Sequence, residues 1–354
     1  MSDTNIKNES ALREQDELSY YQNQYNVDFT EKNNSLQAFY EECKVYDLKS
    51  FMELKLQHPA ILLDPIITEG SLSMLHAFRG IGKSFFAMSL ALAVANGGKF
   101  LRWKAPHSSK VLYVDGEMSA TVLQERFAKL SHYPLFNDKE TGYTKNLMLF
   151  AADMQIFPTI NIAKEEIQHS IEKIIENNNI KFIVFDNISS LTTIDELDSV
   201  AWLPIQDWLI SLRKKNIAVL LIHHSGKNGG QRGISKREDV LDLVMSLKDI
   251  SKKTTNKKTS NTLSKNNELE DKEENDAFGG KCQVMFEKNR NLGGKNKLTN
   301  FGIELIDLDD GSIAWVDIYA TVKQLKEEGC SCREIQEITG ISKSRVSEIC
   351  RIDN

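Results

Sequence analysis

The sequence predicts an α/β protein built on a doubly wound, mostly parallel sheet, with a small all-α domain at its C-terminal end. Three observations carry this. From about Pro59, short β-branched runs alternate with helical patterns, which implies right-handed crossovers between parallel strands. Two of those runs, Phe182-Ile-Val-Phe185 and Val219-Leu-Leu-Ile222, are apolar at every position, as strands covered on both faces are. From Asp317 onward the pattern turns helical to the end.

The elements follow in order. Residues 1–58 form a polar arm rich in Asn, Gln, Ser, Asp and Glu, expected to be partly disordered, with one short helix around Leu36 to Cys43. Residues 59–316 form the core. Its strands are expected at Ser71 to Phe78, Lys110 to Asp115, Leu147 to Ala152, Lys181 to Asp186 and Ala218 to His223. Helices are expected at Ser84 to Ala95, Ser119 to Lys129, Ile162 to Glu176 and Asp198 to Lys214. Residues 251–280 have no pattern and read as a disordered insertion. Strand texture then resumes at Gln283 to Phe286, Asn300 to Ile306 and Ser312 to Val316. Residues 317–354 hold three helices. In these, Ser331-Cys-Arg-Glu334 is a capping box, and Ile335, Ile338, Ile341, Val346 and Ile349 are positioned to pack two short helices together.

Composition narrows the classes. Lys and Arg number 44 against 50 Asp and Glu, a net charge of −6, so any nucleic-acid contact must come from local patches. The start of the chain is polar and acidic, unlike a secretory signal, and the longest apolar run is too short to cross a bilayer. Five cysteines, an odd number, fit reduced thiols in the cytoplasm. Cys330, Cys332 and Cys350 lack a fourth neighbour to complete a zinc set.

Chemistry concentrates after the first core strand, at Ala77-Phe78-Arg79-Gly80-Ile81-Gly82-Lys83-Ser84, followed at once by an apolar helix. Glycines let successive backbone N–H groups turn around a phosphate, and the helix N-terminus adds favourable partial charge. Lys83 would neutralise the terminal phosphates and the Ser84 hydroxyl would ligate Mg²⁺. Ala77 stands where the full phosphate-loop pattern has Gly. Ligands of a doubly wound sheet gather at the C-terminal strand ends, and three later strands end in polar residues. Asp115-Gly-Glu117 offers Glu117 to deprotonate a water, with Asp115 read as structural. Asp186 can hold a Mg²⁺-bound water opposite Ser84. His223-His224 offers a phosphate sensor, with His224 favoured over His223.

Together these segments resemble the RecA-like, AAA-type P-loop ATPases, in particular the ring-forming plasmid replicative helicases of the RepA type. The resemblance covers roughly Ala60 to Val316. It rests on the phosphate loop, Tyr113-Val-Asp-Gly-Glu-Met118, Phe185-Asp-Asn187, His223-His224-Ser-Gly-Lys227 and Gln231-Arg232-Gly233. It implies a RecA-like core that hydrolyses ATP with Mg²⁺, with Glu117 as base, Asp186 as the Mg²⁺-linked acid and His224 as sensor. It also implies a channel loop, Gly226 to Ser235, where Lys227, Arg232 and the adjoining Lys236 contact single-stranded DNA. Lys288 and Arg290 resemble the cations that such helicases extend to a neighbour's γ-phosphate. The expected assembly is a homo-oligomeric ring, such as a hexamer.

The tail's spacing resembles a helix-turn-helix, in which Lys343, Ser344 and Arg345 would meet duplex DNA. The tail as a whole carries six basic and seven acidic residues, so a protein-docking role is the competing expectation. Two other readings share the core: a nucleotide-switched DNA-binding regulator, and a recombination accessory ATPase without unwinding.

Overall fold

The computed structural model describes residues 43–131, 144–157, 159–193, 200–225, 238–250, 280–290, 298–339 and 341–351. It divides into two compact units, Met1–His58 and Pro59–Asn354. In the first, helix α1 (Leu48–Met52) is a single turn capped by Asp47, whose carboxylate accepts from the Ser50 N–H at 3.0 Å, and it buries none of its residues. The helix expected at 36–43 lies outside the described residues, apart from Cys43.

The second unit opens with a short hairpin, β1 (Ile61–Leu63) and β2 (Ile67–Thr68), followed by the buried strand β3 (Leu72–Ala77). Helix α2 (Lys83–Asn96) follows and is buried almost all round, which its apolar sequence requires. A second hairpin, β4 (Lys99–Phe100) and β5 (Trp103–Lys104), leads to β6 (Val111–Asp115), α3 (Ala120–Ser131) and β7 (Leu147–Ala151). Next come α4 (Glu165–Asn178), β8 (Phe182–Asp186), the short α5 (Ile188–Leu191), α6 (Leu203–Lys214) and β9 (Ala218–His224). Four further strands complete the sheet: β10 (Leu243–Asp249), β11 (Lys281–Asn289), β12 (Phe301–Asp307) and β13 (Ile313–Asp317).

The nine-stranded sheet has the order β13-β12-β11-β10-β3-β9-β8-β6-β7. Every pair from β10 through β3 to β7 is parallel, and every pair from β10 to β13 is antiparallel. This is the doubly wound, mostly parallel sheet that the sequence predicts. One apolar layer packs α2 and α3 on the sheet through Phe86, Leu90, Leu123 and Phe127. The other packs α4 and α6 through Ile171, Ile175, Ile205 and Trp208. Among the described residues, no helix is long and apolar enough to cross a membrane.

Several details differ from expectation. Strand β10 was not anticipated, since a short apolar run reads alike in a strand and a buried helix. The helix expected from Asp198 starts at Leu203, where Pro204 brings a preset φ and needs no donor in the first turn. The helix expected from Ile162 starts at Glu165, because the Asn161 side chain accepts from the Ala163 N–H and holds a turn there. The insertion expected at 251–280 lies outside the described residues, save Gly280.

The tail continues from β13 into α7 (Ile318–Glu327), α8 (Cys332–Thr339) and α9 (Lys343–Arg351). The capping box forms: Ser331 N–H donates to Glu334 Oε2 at 2.7 Å and Glu334 N–H to Ser331 Oγ at 3.3 Å. Ile335, Val346 and Ile349 are buried, but Ile338, expected in the packing, is 62% exposed because the inward row of α8 runs through Ile335 and Thr339, one turn apart. The Lys281 ammonium donates to the Thr339 carbonyl at 2.6 Å, tying α8 to β11.

Candidate functional site

Sheet order decides which polar strand ends meet. Strands β3, β9, β8 and β6 are consecutive neighbours running the same way, so the residues just past each one converge at one end of the sheet. There Ala77 to Ser84 links β3 to α2. Gly80 and Gly82 take left-handed backbone (φ +80° and +95°), which residues with a Cβ seldom adopt. Space beside Gly80 is open, whereas a Cβ on Gly82 would come within 3.2 Å of the Trp315 ring. Phe78 and Arg79 are exposed at the tip of the loop. The Lys83 ammonium curls back into the loop, donating to the carbonyls of Ala77 at 3.1 Å and Phe78 at 2.9 Å. Burial lowers its pKa to about 8, against the raising pull of Asp186 and Glu117.

Asp186 ends β8 and is almost wholly buried. The Tyr113 hydroxyl donates to its Oδ2 at 2.6 Å, and the Ser84 hydroxyl lies within hydrogen-bonding reach of the same carboxylate. Burial raises its pKa, while Tyr113, Ser84 and the Lys83 charge pull the other way. Asp115 stands directly across from it on β6. Its Oδ1 accepts from the N–H groups of Glu117 (3.2 Å) and Met118 (2.8 Å), which fixes the turn carrying Glu117. Burial pushes the Asp115 pKa up to about 7; those N–H groups oppose the rise and Asp186 adds to it.

The Glu117 carboxylate reaches back over the strand ends, accepting from the Asn187 side-chain amide. His224 Nε2 lies 3.0 Å from the same amide nitrogen and 3.6 Å from Glu117 Oε2. Burial lowers the His224 pKa, and the Lys83 charge lowers it further. Strand alternation puts His223 on the opposite face, buried and in register with His76. The sequence reading gave no role to Asn187 or Tyr113. Their signals were membership of the two segments that carry the resemblance, adjacency to Asp186, and the alternation that puts Tyr113 on the face of Asp115.

The donor set fits a phosphate chain with a hard divalent cation. A hydroxyl and a carboxylate are oxygen ligands of the kind Mg²⁺ takes. Two buried acids on neighbouring strands, with Asp115 Oδ2 and His224 Nδ1 buried without a hydrogen-bond partner, form a cluster that a cation and phosphate oxygens would relieve. Among the described residues, no cluster of His, Cys, Asp and Glu has the geometry of a self-sufficient metal centre. The partner of such an ion would then be the nucleotide.

Lys288 and Arg290 lie elsewhere. Strand β11 runs antiparallel to β10, so Asn289 sits opposite Leu243, level with Ser73 rather than Ala77. That places both cations toward the other end of the sheet, four residues or roughly 13 Å back along the strand direction. There Lys288 donates to the Glu238 carbonyl and Arg290 to the Asp239 carbonyl. Lys227, Arg232 and Lys236 lie outside the described residues. In the tail, Lys343 and Ser344 are exposed, but Arg345 is turned onto Tyr319, donating to its hydroxyl with the guanidinium 5.3 Å from the ring centre.

A family model described as an AAA domain, AAA_25, matches residues 42–230. No curated protein matches the chain. Among solved structures, the chain is similar to a KaiC-like protein from the hyperthermophilic archaeon Pyrococcus horikoshii OT3. That match has 14% identity and a TM-score of 0.43, covering 72% of this chain and 93% of the other.

Proposed function

The chain belongs to the AAA_25 family of AAA domains, which makes it a P-loop ATPase, and from that premise we propose a Mg²⁺-dependent ring motor acting on DNA. Its work would be that of a helicase or translocase in plasmid or mobile-element replication. The observation that carries the ATPase part is the convergence of Lys83, Ser84, Asp186, Glu117 and His224 at one end of the sheet.

The chemistry follows from those positions. The loop's N–H groups and Lys83 hold the β- and γ-phosphates of ATP, Lys83 exchanging two carbonyl contacts for charged oxygens. Ser84 and Asp186 would hold Mg²⁺, which would supply neutralisation of the phosphate charge. Glu117, held by Asn187, takes a proton from the attacking water. His224, sharing that amide, registers the terminal phosphate.

Two observations support a shared site. Among the described residues of one chain, the cations felt at this cluster are Lys83, Arg79 and, through Tyr113, Arg126, and none of them comes from β11. Lys288 and Arg290 face the other end of the sheet, where they could serve an adjoining subunit. For DNA, the support is the Gly-rich cationic segment after Ser225 and the exposed start of α9. The turned-in Arg345 favours the competing protein-docking reading of the tail, because it removes one cation from any DNA-facing surface.

The test is ATP turnover with and without single-stranded DNA, alongside mass by light scattering. The motor reading expects an oligomer whose turnover rises with DNA and a forked duplex that is unwound. A monomer with full activity would remove the shared site. An ATP-dependent change in duplex binding without unwinding would favour the regulator.

A further inference from the structure

Tyr113 is wholly buried in the middle of β6. Its ring packs edge-on against Phe127 of α3, with centroids 5.5 Å apart, and for that packing a phenylalanine would serve as well. The hydroxyl is the part that packing does not explain. A phenol buried without a partner costs free energy, and this one has a partner: it donates to Asp186 Oδ2 at 2.6 Å. Tyr113 stands opposite Val184, two residues before Asp186, so the side chain leans along the sheet to reach the carboxylate. Asp186 is thereby held from one side by strand β6 and approached from the other by Ser84.

A carboxylate that ligates a cation is commonly oriented by a hydrogen bond from a neighbouring group, and loss of such a bond typically costs about 10–100-fold in metal affinity. We propose that Tyr113 is a positioning residue for the nucleotide's divalent cation, acting through Asp186. Its hydroxyl pins one carboxylate oxygen, so the carboxylate cannot turn away from Ser84. The inference rests on the reading of this cluster as a nucleotide·Mg²⁺ site.

The test is Tyr113→Phe in the full chain, which keeps the ring and removes only the hydroxyl. Binding of a fluorescent ATP analogue is measured in EDTA and then across a Mg²⁺ titration. Affinity in EDTA should stay within about two-fold of the parent, while the Mg²⁺ midpoint should rise about ten-fold or more. In an Asp186→Asn background the same substitution should add nothing, since the two residues act as a unit. Phe127→Leu loosens the same ring without touching the hydroxyl and should leave the Mg²⁺ midpoint in place.

An unchanged midpoint in Tyr113→Phe, with Asp186→Asn shifted, would overturn the inference and leave the nucleotide site standing. Loss of binding in EDTA as well would also overturn it, because the hydroxyl would then be holding the core rather than the cation. A parent protein without Mg²⁺-dependent binding would remove the nucleotide reading and this inference with it.

Discussion

The sheet keeps cations at both ends, in opposite circumstances. Lys83 is buried among acids, its pKa depressed by lost solvation and partly restored by Asp186 and Glu117. Lys288 and Arg290, toward the other end, meet the backbone carbonyls of Glu238 and Asp239. A carbonyl dipole is a weaker partner for a cation than a phosphate oxygen, so either set would exchange its present contacts for a phosphate brought within reach. The difference lies in whose phosphate that is. On the proposed reading, Lys83 would meet one held by its own loop, while the other pair, about 13 Å away along the strands, would meet one held by a neighbour.

The largest expected effect tests that asymmetry directly. Arg290→Ala, and separately Lys288→Ala, should reduce turnover by on the order of 10³-fold while nucleotide affinity changes little, as loss of a cation acting on the developing charge does. Mixing inactive Arg290→Ala with inactive Glu117→Gln should restore part of the activity if each site draws on two chains. Absence of any recovery in mixed oligomers would break the comparison.

Lys83→Ala should cost about 10²–10³-fold in turnover, and here the loss should include nucleotide binding. Equilibrium binding of a fluorescent analogue separates the two ends. Should the Arg290 and Lys83 variants lose affinity equally, the division into own and neighbouring phosphate would not hold.

Much of the site end was legible in the sequence, for a physical reason. Val111 to Val114 and Phe182 to Phe185 are buried runs that each stop at an acid, and in a parallel sheet such stops share one edge. The glycine–lysine–serine turn before an apolar helix was equally plain. What escaped depends on distant chain segments. Trp315, more than 230 residues after Gly82, closes over that glycine and packs edge-on to Phe86 with ring centroids 5.9 Å apart, and no local pattern announces it. The same holds for Arg345 turning onto Tyr319, and for the Tyr113 hydroxyl, which spacing alone cannot aim. The distance between Lys288 and the loop was hidden too, since it follows from β10, a strand the sequence did not reveal.

A smaller effect comes from Gly82→Ala. Left-handed backbone costs a residue with a Cβ roughly 1–2 kcal/mol, and the Trp315 ring at 3.1–3.2 Å adds to it. Thermal unfolding should shift down by that order. If α2 unwinds locally to relieve the contact, nucleotide affinity should fall more than stability does. A variant as stable as the parent would show that the loop's shape is less fixed at the site end than its geometry implies.

The smallest effect concerns the link between the two ends. His76, buried beside Ala77, has Nδ1 2.9 Å from Ser225 Oγ and Nε2 3.1 Å from Glu287, the residue before Lys288; Ser246 Oγ donates to the same carboxylate at 2.6 Å. Burial lowers the His76 pKa below its ordinary 6.5, Glu287 opposes that, and Lys248 and Lys83 reinforce it. The folded protein therefore binds fewer protons at this site than the unfolded chain between the lowered pKa and 6.5. Stability contributed here is level above pH 6.5 and declines as the pH falls through that window, by at most about 1.4 kcal/mol per pH unit. His224 shifts in the same direction, while Asp115, raised to about 7, contributes the opposite slope, so the parent's pH dependence contains all three and only its change on substitution reports His76. On going from pH 7.5 to 5.5, the urea midpoint should fall less, or rise more, in His76→Gln than in the parent. A midpoint that falls more steeply on acidification in His76→Gln than in the parent would mean that Glu287 holds His76 charged in the folded state, as an ion pair between the P-loop strand and β11; an unchanged slope would mean that His76 titrates alike folded and unfolded.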